Sequence, residues 1–126
     1  MTENEIAKIV FGTSLNLHRT YGPGLFESVY EEIMFYELTK GNVLVERQKA
    51  IPVYHEKIKM DIGFRADIII ENKVIVEIKS VEELAKVHYK QVITYLKLTD
   101  CKLGLLINFN VDLLKDGFHR IVNGLY

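Results

Sequence analysis

Two short segments with β-strand character carry the residues best suited to chemistry. Asp67 lies in the segment 64–70, and Glu77 and Lys79 lie in the segment 74–79. Because Glu77 and Lys79 are two residues apart, both side chains emerge on one face of a strand. Two carboxylates beside a lysine are suited to binding a divalent cation and to neutralising charge on a phosphate.

A turn at 71–73 sets the register between these two segments. A three-residue loop pairs Ile70 with Val74 and therefore places Asp67 directly opposite Glu77. A two-residue loop would shift Asp67 out of register with Glu77. We predict the three-residue loop, with its second or third residue in the left-handed conformation.

In that register the two acids are like charges that face each other across a β-ladder, which destabilises a sheet unless a cation neutralises them. An alternative is an exposed checkerboard in which Arg65 and Lys79 satisfy the two acids. The segment 74–76 argues against this alternative, because it is apolar on both faces and so indicates a central strand, where charged side chains are uncommon. We therefore expect a divalent cation between Asp67 and Glu77.

A helix predicted over 82–98 presents further polar groups. Gln91 and Tyr95 are four residues apart and share a helix face, with His88 one turn earlier. Amide and phenol groups are suited to hydrogen-bonding phosphate oxygens or to orienting Lys79, although a mixed polar helix surface is a common alternative. We expect His88 to be solvated.

The residues Gly24, Glu27 and Tyr30 mark the start of another predicted helix, 27–40. Glu27 and Tyr30 are three residues apart and share a face. A carboxylate in the first helical turn is also favoured by the helix dipole. Two interpretations of Glu27 therefore stay open, a metal ligand and a helix-terminal charge.

Hydrophobic spacing predicts the elements that must position these residues. The period changes from helical to two and back, which gives the order α-α-β-β-β-α-β and an α/β protein with a mixed sheet covered by helices (α+β). The predicted helices are 4–19, 27–40 and 82–98, and the predicted strands are 43–53, 57–70, 74–79, 103–109 and a short final 118–122.

Two of these elements carry predictions about faces. In the helix 27–40 we read one face from Val29, Ile33 and Tyr36. In the strand 57–70, strict alternation puts every second residue on one face. These residues are Ile58, Met60, Ile62, Phe64, Ala66, Ile68 and Ile70.

The composition indicates one ordinary folded unit, a single domain over 1–126, with 48% hydrophobic and 26% charged residues. No apolar run approaches the roughly 20 residues needed to cross a bilayer, and the N-terminus does not resemble a signal peptide. We therefore expect no membrane partner and a cytoplasmic location. Cys101 is the single cysteine, which excludes an internal disulfide and a cysteine-based metal cluster.

The formal net charge of −1 argues against a protein that coats nucleic acid by electrostatics alone. Residues 1–37 hold two basic and six acidic side chains, a net charge of −4, so the remainder carries +3. A cation bound by Asp67 and Glu77 would make that remainder more positive, as contact with a phosphate backbone requires. The candidate backbone contacts are Arg47, Lys49 and Arg65, for which solvated strand charges are the alternative.

These residues resemble the PD-(D/E)XK nuclease superfamily and, within it, the small proteins named for the pattern G-x-x-E-x-x-Y. Asp67 fits the first acidic position, 77–79 fits the E-x-K element and 105–110 looks like the closing strand. The naming pattern is fitted by Gly24, Glu27 and Tyr30, and a Q-x-x-x-Y helix by Gln91 and Tyr95. One departure is Ala66, which stands where the superfamily name has proline.

The resemblance implies a restriction-endonuclease-like α-β-β-β-α-β core with an extra N-terminal helix. It also implies Mg²⁺- or Mn²⁺-dependent hydrolysis of nucleic-acid phosphodiester bonds, with DNA favoured over RNA. The implied metal ligands are Asp67, Glu77, the backbone carbonyl of Ile78 and Glu27. Lys79 would assist the attacking water or neutralise developing charge, with Gln91 and Tyr95 holding the phosphate or the lysine.

Two other functions stay open. A catalytically inactive module with the nuclease fold would bind nucleic acid or a protein partner without needing metal at Asp67 and Glu77. An oligomeric scaffold would use apolar residues of the first helix, Leu25–Phe26 and Leu125–Tyr126. A homodimer is also compatible with nuclease activity, because a core this small has no accessory domain to grip a long substrate.

Overall fold

The computed structural model describes residues 1–61 and 63–125. The helices are α1 Glu3–Tyr21, α2 Glu27–Thr39, α3 Lys86–Thr99 and the short α4 Leu114–Gly117. The strands are β1 Val45–Ile51, β2 Tyr54–His55, β3 Ile58–Lys59, β4 Phe64–Ile70, β5 Val74–Lys79, β6 Leu103–Asn108 and β7 Phe118–Val122. The positions predicted for Ile62 and Tyr126 lie outside the described residues.

Five strands form one mixed sheet in the order β1-β4-β5-β6-β7. Among the described strands of this sheet, only the β5–β6 pair is parallel, because α3 crosses over between these two strands, and the other neighbours are antiparallel. Helices α1 and α2 pack on one face of the sheet and α3 packs on the other. The predicted mixed α+β architecture is therefore confirmed.

Strand β5 lies at the centre of the sheet. Val74, Ile75 and Val76 are each 0% exposed, because successive side chains enter the two core clusters on opposite faces. This burial confirms the central position read from the apolar run. Within the described residues, no helix is both long enough and apolar enough to cross a membrane.

The turn between β4 and β5 is the three-residue loop that the sequence predicts. Ile70 pairs with Val74 and Ile68 with Val76, and the Lys73 N–H donates to the Ile70 carbonyl at 2.9 Å. Asn72 is left-handed (φ 53°), one of the two positions predicted for that conformation, and Glu71 joins it (φ 54°). Continued by one step, this register sets Asp67 opposite Glu77.

The prediction of one continuous strand over 57–70 is wrong. β2 and β3 form a separate two-stranded hairpin, in which Glu56 (φ 50°) and Lys57 (φ 70°) make the turn. Apolar residues alternate through the whole segment in the sequence, so the pattern marks neither the turn nor the end of a strand.

The predicted alternation of faces also fails inside β4. Ala66 packs in the cluster beneath α3, whereas Ile68 packs in the cluster beneath α1 and α2. The β1–β4 ladder pairs Arg47 with Ile68 and next pairs Lys49 with Ala66. The skipped pair is Gln48, which is left-handed (φ 50°), and Asp67. The two strands thus switch faces at Asp67.

Two helices also differ in detail from the prediction. α2 buries Tyr30, Glu31, Met34 and Leu38, whereas Tyr36 of the predicted face is 60% exposed. α3 begins at Lys86 and not at Glu82, because the Asn108 amide binds both the N–H (3.1 Å) and the carbonyl (2.9 Å) of Val81. This pairing holds the segment after β5 out of the helix.

Candidate active site

Asp67 and Glu77 lie side by side, where β4 and β5 begin to separate. The Asp67 N–H donates to Glu77 Oε1 at 3.3 Å, and the Ile78 N–H donates to Asp67 Oδ2 at 2.8 Å. Asp67 is half-buried and Glu77 is only 6% exposed. The Asp67 carboxylate thus takes the place of a backbone carbonyl in the ladder, which fixes it next to the Glu77 carboxylate.

The electrostatics of this pair are unfavourable when both acids are ionised. Burial, and then the neighbouring Asp67 carboxylate, raise the pKa of Glu77 to about 9, while Lys79 lowers it by less. In the part of the chain that the structure describes, no ion pair within 4.0 Å involves Asp67, Glu77 or Lys79. The site therefore favours any species that brings positive charge to the two carboxylates.

The backbone of β5 adds an oxygen to the same place. The Ile78 N–H points toward β4, since it donates to Asp67, and the Lys79 carbonyl points toward β6, since it accepts from the Phe109 N–H at 3.0 Å. The N–H and carbonyl of one residue lie on the same edge of an extended strand. The Ile78 carbonyl therefore faces the β4 side, where the Asp67 carboxylate lies.

Helix α3 brings Tyr95 to the acids. Tyr95 is half-buried with its ring centroid 5.1 Å from that of Phe64, and its pKa is raised by burial and then by Glu77 and Asp67. Gln91 is exposed one turn earlier and makes no side-chain hydrogen bond within the described residues. His88 is partly exposed, in keeping with the expected solvated position, and it accepts a hydrogen bond from the Ala85 N–H at 3.0 Å, which caps the helix start.

Glu27 lies at the same end of β5 but does not reach the two acids. Its Oε2 accepts from the Ser80 N–H at 3.0 Å, and the Ser80 hydroxyl donates to the Leu25 carbonyl at 3.0 Å. Among the described residues, no three histidine, cysteine or acidic side chains are grouped closely enough to hold a metal ion. In this conformation Glu27 thus links the start of α2 to the residue after Lys79.

Tyr30, which shares a helix face with Glu27, has a structural role. Its hydroxyl donates to the Gly22 carbonyl and accepts from the Leu25 N–H (3.2 Å), while its ring stacks on Phe109 at a centroid distance of 4.2 Å. Tyr30 therefore fixes the turn that precedes α2, and with it the position of Glu27.

The three cations predicted to contact nucleic acid are bonded within the protein. Arg47 Nε lies 2.7 Å from Glu31 Oε2, and Lys49 Nζ lies 2.9 Å from Glu46 Oε1. Arg65 Nη1 donates to the Gln48 carbonyl at 3.1 Å and is exposed. Among the described residues, Arg65 differs from the other two in having no acidic partner within 4.0 Å.

Two polar residues beside the acids were missed by the sequence-based prediction. Glu31 is only 6% exposed, and Gln48 Nε2 donates to Glu31 Oε1 at 2.6 Å and to Asp67 Oδ1 at 3.3 Å. The one signal for Glu31 is its spacing of three residues from Met34, which puts it on the buried face of α2. Nothing in the strand pattern distinguishes Gln48 from its charged neighbours.

A family model of the PD-(D/E)XK nuclease superfamily matches residues 4–121. No curated protein and no solved structure matched the chain. The matched range covers all of the large sheet except the last residue of β7, and it includes both acids, the lysine and helix α3. With the match extending over nearly the whole sequence, this chain belongs to the PD-(D/E)XK nuclease superfamily.

Proposed function

We propose that the protein is a Mg²⁺- or Mn²⁺-dependent nuclease that hydrolyses phosphodiester bonds, of DNA in preference to RNA. The observation that carries the proposal is the adjacency of Asp67, which is half-buried, and Glu77, which is 6% exposed, on neighbouring strands of the sheet. A buried pair of like charges is costly unless it serves a bound cation. The superfamily to which the chain belongs acts on nucleic acid and typically uses divalent metals.

The residues at this place fit a hard divalent cation. Asp67 and Glu77 offer carboxylate oxygens and Ile78 offers a carbonyl oxygen on the same side of β5, the ligand type that Mg²⁺ and Mn²⁺ prefer. We include Glu27 as a further candidate ligand, because it is the carboxylate bonded to the residue after Lys79. When bound, the cation supplies Lewis-acid chemistry at the scissile phosphate and lowers the pKa of a coordinated water.

The other candidate residues would act on the phosphate. Lys79 is half-buried at the end of β5, and its ammonium would neutralise charge that develops on the phosphate. The charges of Glu77 and Asp67 raise the pKa of Tyr95, which indicates that its phenol lies near the two acids. From there it would hydrogen-bond a phosphate oxygen. Gln91, exposed on the same helix face, would donate its amide to the phosphate or to Lys79 once substrate is present.

We further propose that the chain acts as a single domain and belongs with the small G-x-x-E-x-x-Y proteins. The support is the spacing of Gly24, Glu27 and Tyr30 at the turn into α2. In this proposal the three residues act together at the turn into α2. Tyr30 fixes the turn, and Glu27 binds the residue that follows β5.

The test is cleavage of matched single-stranded, duplex and branched DNA and RNA with Mg²⁺ or Mn²⁺. Asp67→Asn should lower the cleavage rate by about 100-fold or more, because it removes a charged ligand while keeping the side-chain shape. Asp116→Asn, which makes the same change on the exposed helix α4, is the control and should cleave normally.

Two results would count against the proposal. If no substrate is cut with either metal, the protein is not a nuclease. Nucleic-acid binding with the same affinity in the wild type and in Asp67→Asn would then identify an inactive binding module. If cleavage survives Asp67→Asn unchanged, the active site lies elsewhere. Faster cleavage of RNA than of DNA would overturn the substrate preference alone.

A further inference from the structure

The side-chain amide of Gln48 bridges two carboxylates that come from different elements. Its Nε2 lies 2.6 Å from Glu31 Oε1 on α2 and 3.3 Å from Asp67 Oδ1 on β4. An amide NH₂ has two hydrogens, and both partners are acceptors. The nitrogen of Gln48 therefore faces the carboxylates, since the amide oxygen in that place would meet two anionic oxygens.

Glu31 gives this bridge a fixed anchor. Glu31 is 6% exposed on the inner face of α2, and its second oxygen is bonded by Arg47 Nε at 2.7 Å. The carboxylate thus has a donor on each oxygen and a nearby compensating charge. Because the contact to Glu31 is shorter than the contact to Asp67, α2 fixes the position of the amide and the amide then meets Asp67.

The backbone at Gln48 is arranged for this contact. Gln48 adopts a left-handed conformation (φ 50°), which residues with a Cβ rarely occupy, and it sits at the skipped pair of the β1–β4 ladder. Unfavourable backbone conformations persist where the surroundings hold them, and they are concentrated at functional sites. At Gln48 this backbone conformation directs the side chain to a position where it reaches both Glu31 and Asp67.

The consequence falls on the Asp67 carboxylate. Oδ1 receives the Gln48 amide and Oδ2 receives the Ile78 N–H at 2.8 Å, so the plane of the carboxylate is set from both sides. Each carboxylate oxygen has two acceptor positions, so one remains on each oxygen for a cation. Loss of the amide would leave Asp67 held through Oδ2 alone.

We propose that Gln48 is a positioning residue for the metal site, one that holds the Asp67 carboxylate in its cation-binding orientation through the anchor at Glu31. This inference rests on the proposed metal-dependent function. Groups that orient metal ligands are commonly worth 10- to 100-fold in metal affinity. A second consequence is that α2 and β4 share one polar connection beneath the candidate active site.

The test measures Mn²⁺ affinity directly by electron paramagnetic resonance, alongside cleavage as a function of Mn²⁺ concentration. Gln48→Met keeps the length of the side chain and removes the amide, so Mn²⁺ should bind about 10- to 100-fold more weakly. Excess Mn²⁺ should then restore cleavage, because the ligands themselves are intact. Glu46→Met, two residues earlier in β1, is the control and should bind Mn²⁺ like the wild type.

Two further variants keep the inference testable if Gln48→Met does not fold. Gln48→Asn retains an amide that is one methylene too short to span both carboxylates, and it should lose Mn²⁺ affinity in the same direction. Glu31→Gln offers one acceptor oxygen to the two donors that Glu31 binds, Gln48 and Arg47, so it weakens the anchor and should lower Mn²⁺ affinity in the same direction as Gln48→Met.

The outcomes separate this inference from the proposed function. If the wild type itself binds no Mn²⁺, the proposed function fails. If the wild type binds Mn²⁺ and both Gln48 variants bind it equally well, the positioning role is wrong and the function stands. Activity that is lost in Gln48→Met and not restored by excess Mn²⁺ would show a merely structural role and would also overturn the inference.

Discussion

At the scale of single residues, we expect Glu77 to make the stability of the fold depend on pH. Burial and Asp67 raise its pKa to about 9 in the folded protein, against 4.5 as its ordinary value. Between these values the folded state holds a proton that the unfolded state has released, so stability falls as pH rises from about 5 to about 9. The upper limit of this slope is about 1.4 kcal/mol per pH unit.

Urea denaturation in EDTA at pH 5 to 9 measures this effect. Glu77→Gln mimics the protonated acid, so its free energy of unfolding should change less with pH than that of the wild type and should exceed it at pH 8. Glu83→Gln, an exposed acid after β5, provides the control and should follow the wild type. Parallel pH profiles for the wild type and Glu77→Gln would show that Glu77 ionises normally.

Sequence reasoning reached Asp67 and Glu77 but not Gln48, for a physical reason. The two acids follow from a loop length and a period of two, which are local properties of one hairpin. Gln48 depends on a left-handed residue and on a partner strand that lies about 20 residues away in the sequence, so no local spacing encodes it. Glu31 was missed because the buried face of α2 was read from the wrong residues.

At the scale of elements, the β2–β3 hairpin is a candidate nucleic-acid contact that the sequence reading did not separate. It carries two lysines, Lys57 and Lys59, and two exposed side chains with apolar surface, Tyr54 (60% exposed) and Ile58 (64% exposed). Strand β4 begins five residues after Lys59 in the sequence, and its Phe64 contacts Tyr95. Cations interleaved with an aromatic side chain are suited to a phosphate backbone and a stacked base.

We expect the double substitution Lys57→Glu and Lys59→Glu to weaken nucleic-acid binding and to reduce its dependence on salt by about two phosphate contacts. Fluorescence anisotropy with labelled DNA over a range of salt concentrations, in Ca²⁺ and without Mg²⁺, measures both quantities. The matched control is Lys8→Glu with Lys115→Glu, on exposed positions of α1 and α4. If both double variants lose the same amount of nucleic-acid affinity, the loss reflects the change in net charge, and the hairpin is not part of the interface.

The hairpin also shows where element prediction from sequence fails. Helices and the central strands were recovered because long apolar periodicity and burial on both faces leave clear patterns, as in β5. A short exposed hairpin buries little, so no apolar pattern marks its ends. The turn at Glu56 and Lys57 contains neither glycine nor asparagine, the residues that usually signal such a turn.

At the scale of the whole molecule, the proposed metal binding would be linked to folding through the same two carboxylates. A cation that binds only the folded state adds about 2.7 kcal/mol of stability at 100 times its Kd. For a chain of 126 residues this raises Tm by on the order of 10 °C. Calorimetry with Mn²⁺ should detect this rise in the wild type and in Asp116→Asn, and should find it nearly absent in Asp67→Asn.

The same linkage gives Glu77→Gln two effects of opposite sign. Without metal it removes the cost of a buried carboxylate beside Asp67 and should raise Tm, whereas with saturating Mn²⁺ it lacks a charged ligand and should gain little. The Tm of the wild type and the variant should therefore cross as Mn²⁺ is added. If Mn²⁺ raises the Tm of both proteins equally, the cation binds elsewhere, and the buried pair is a structural feature of the sheet.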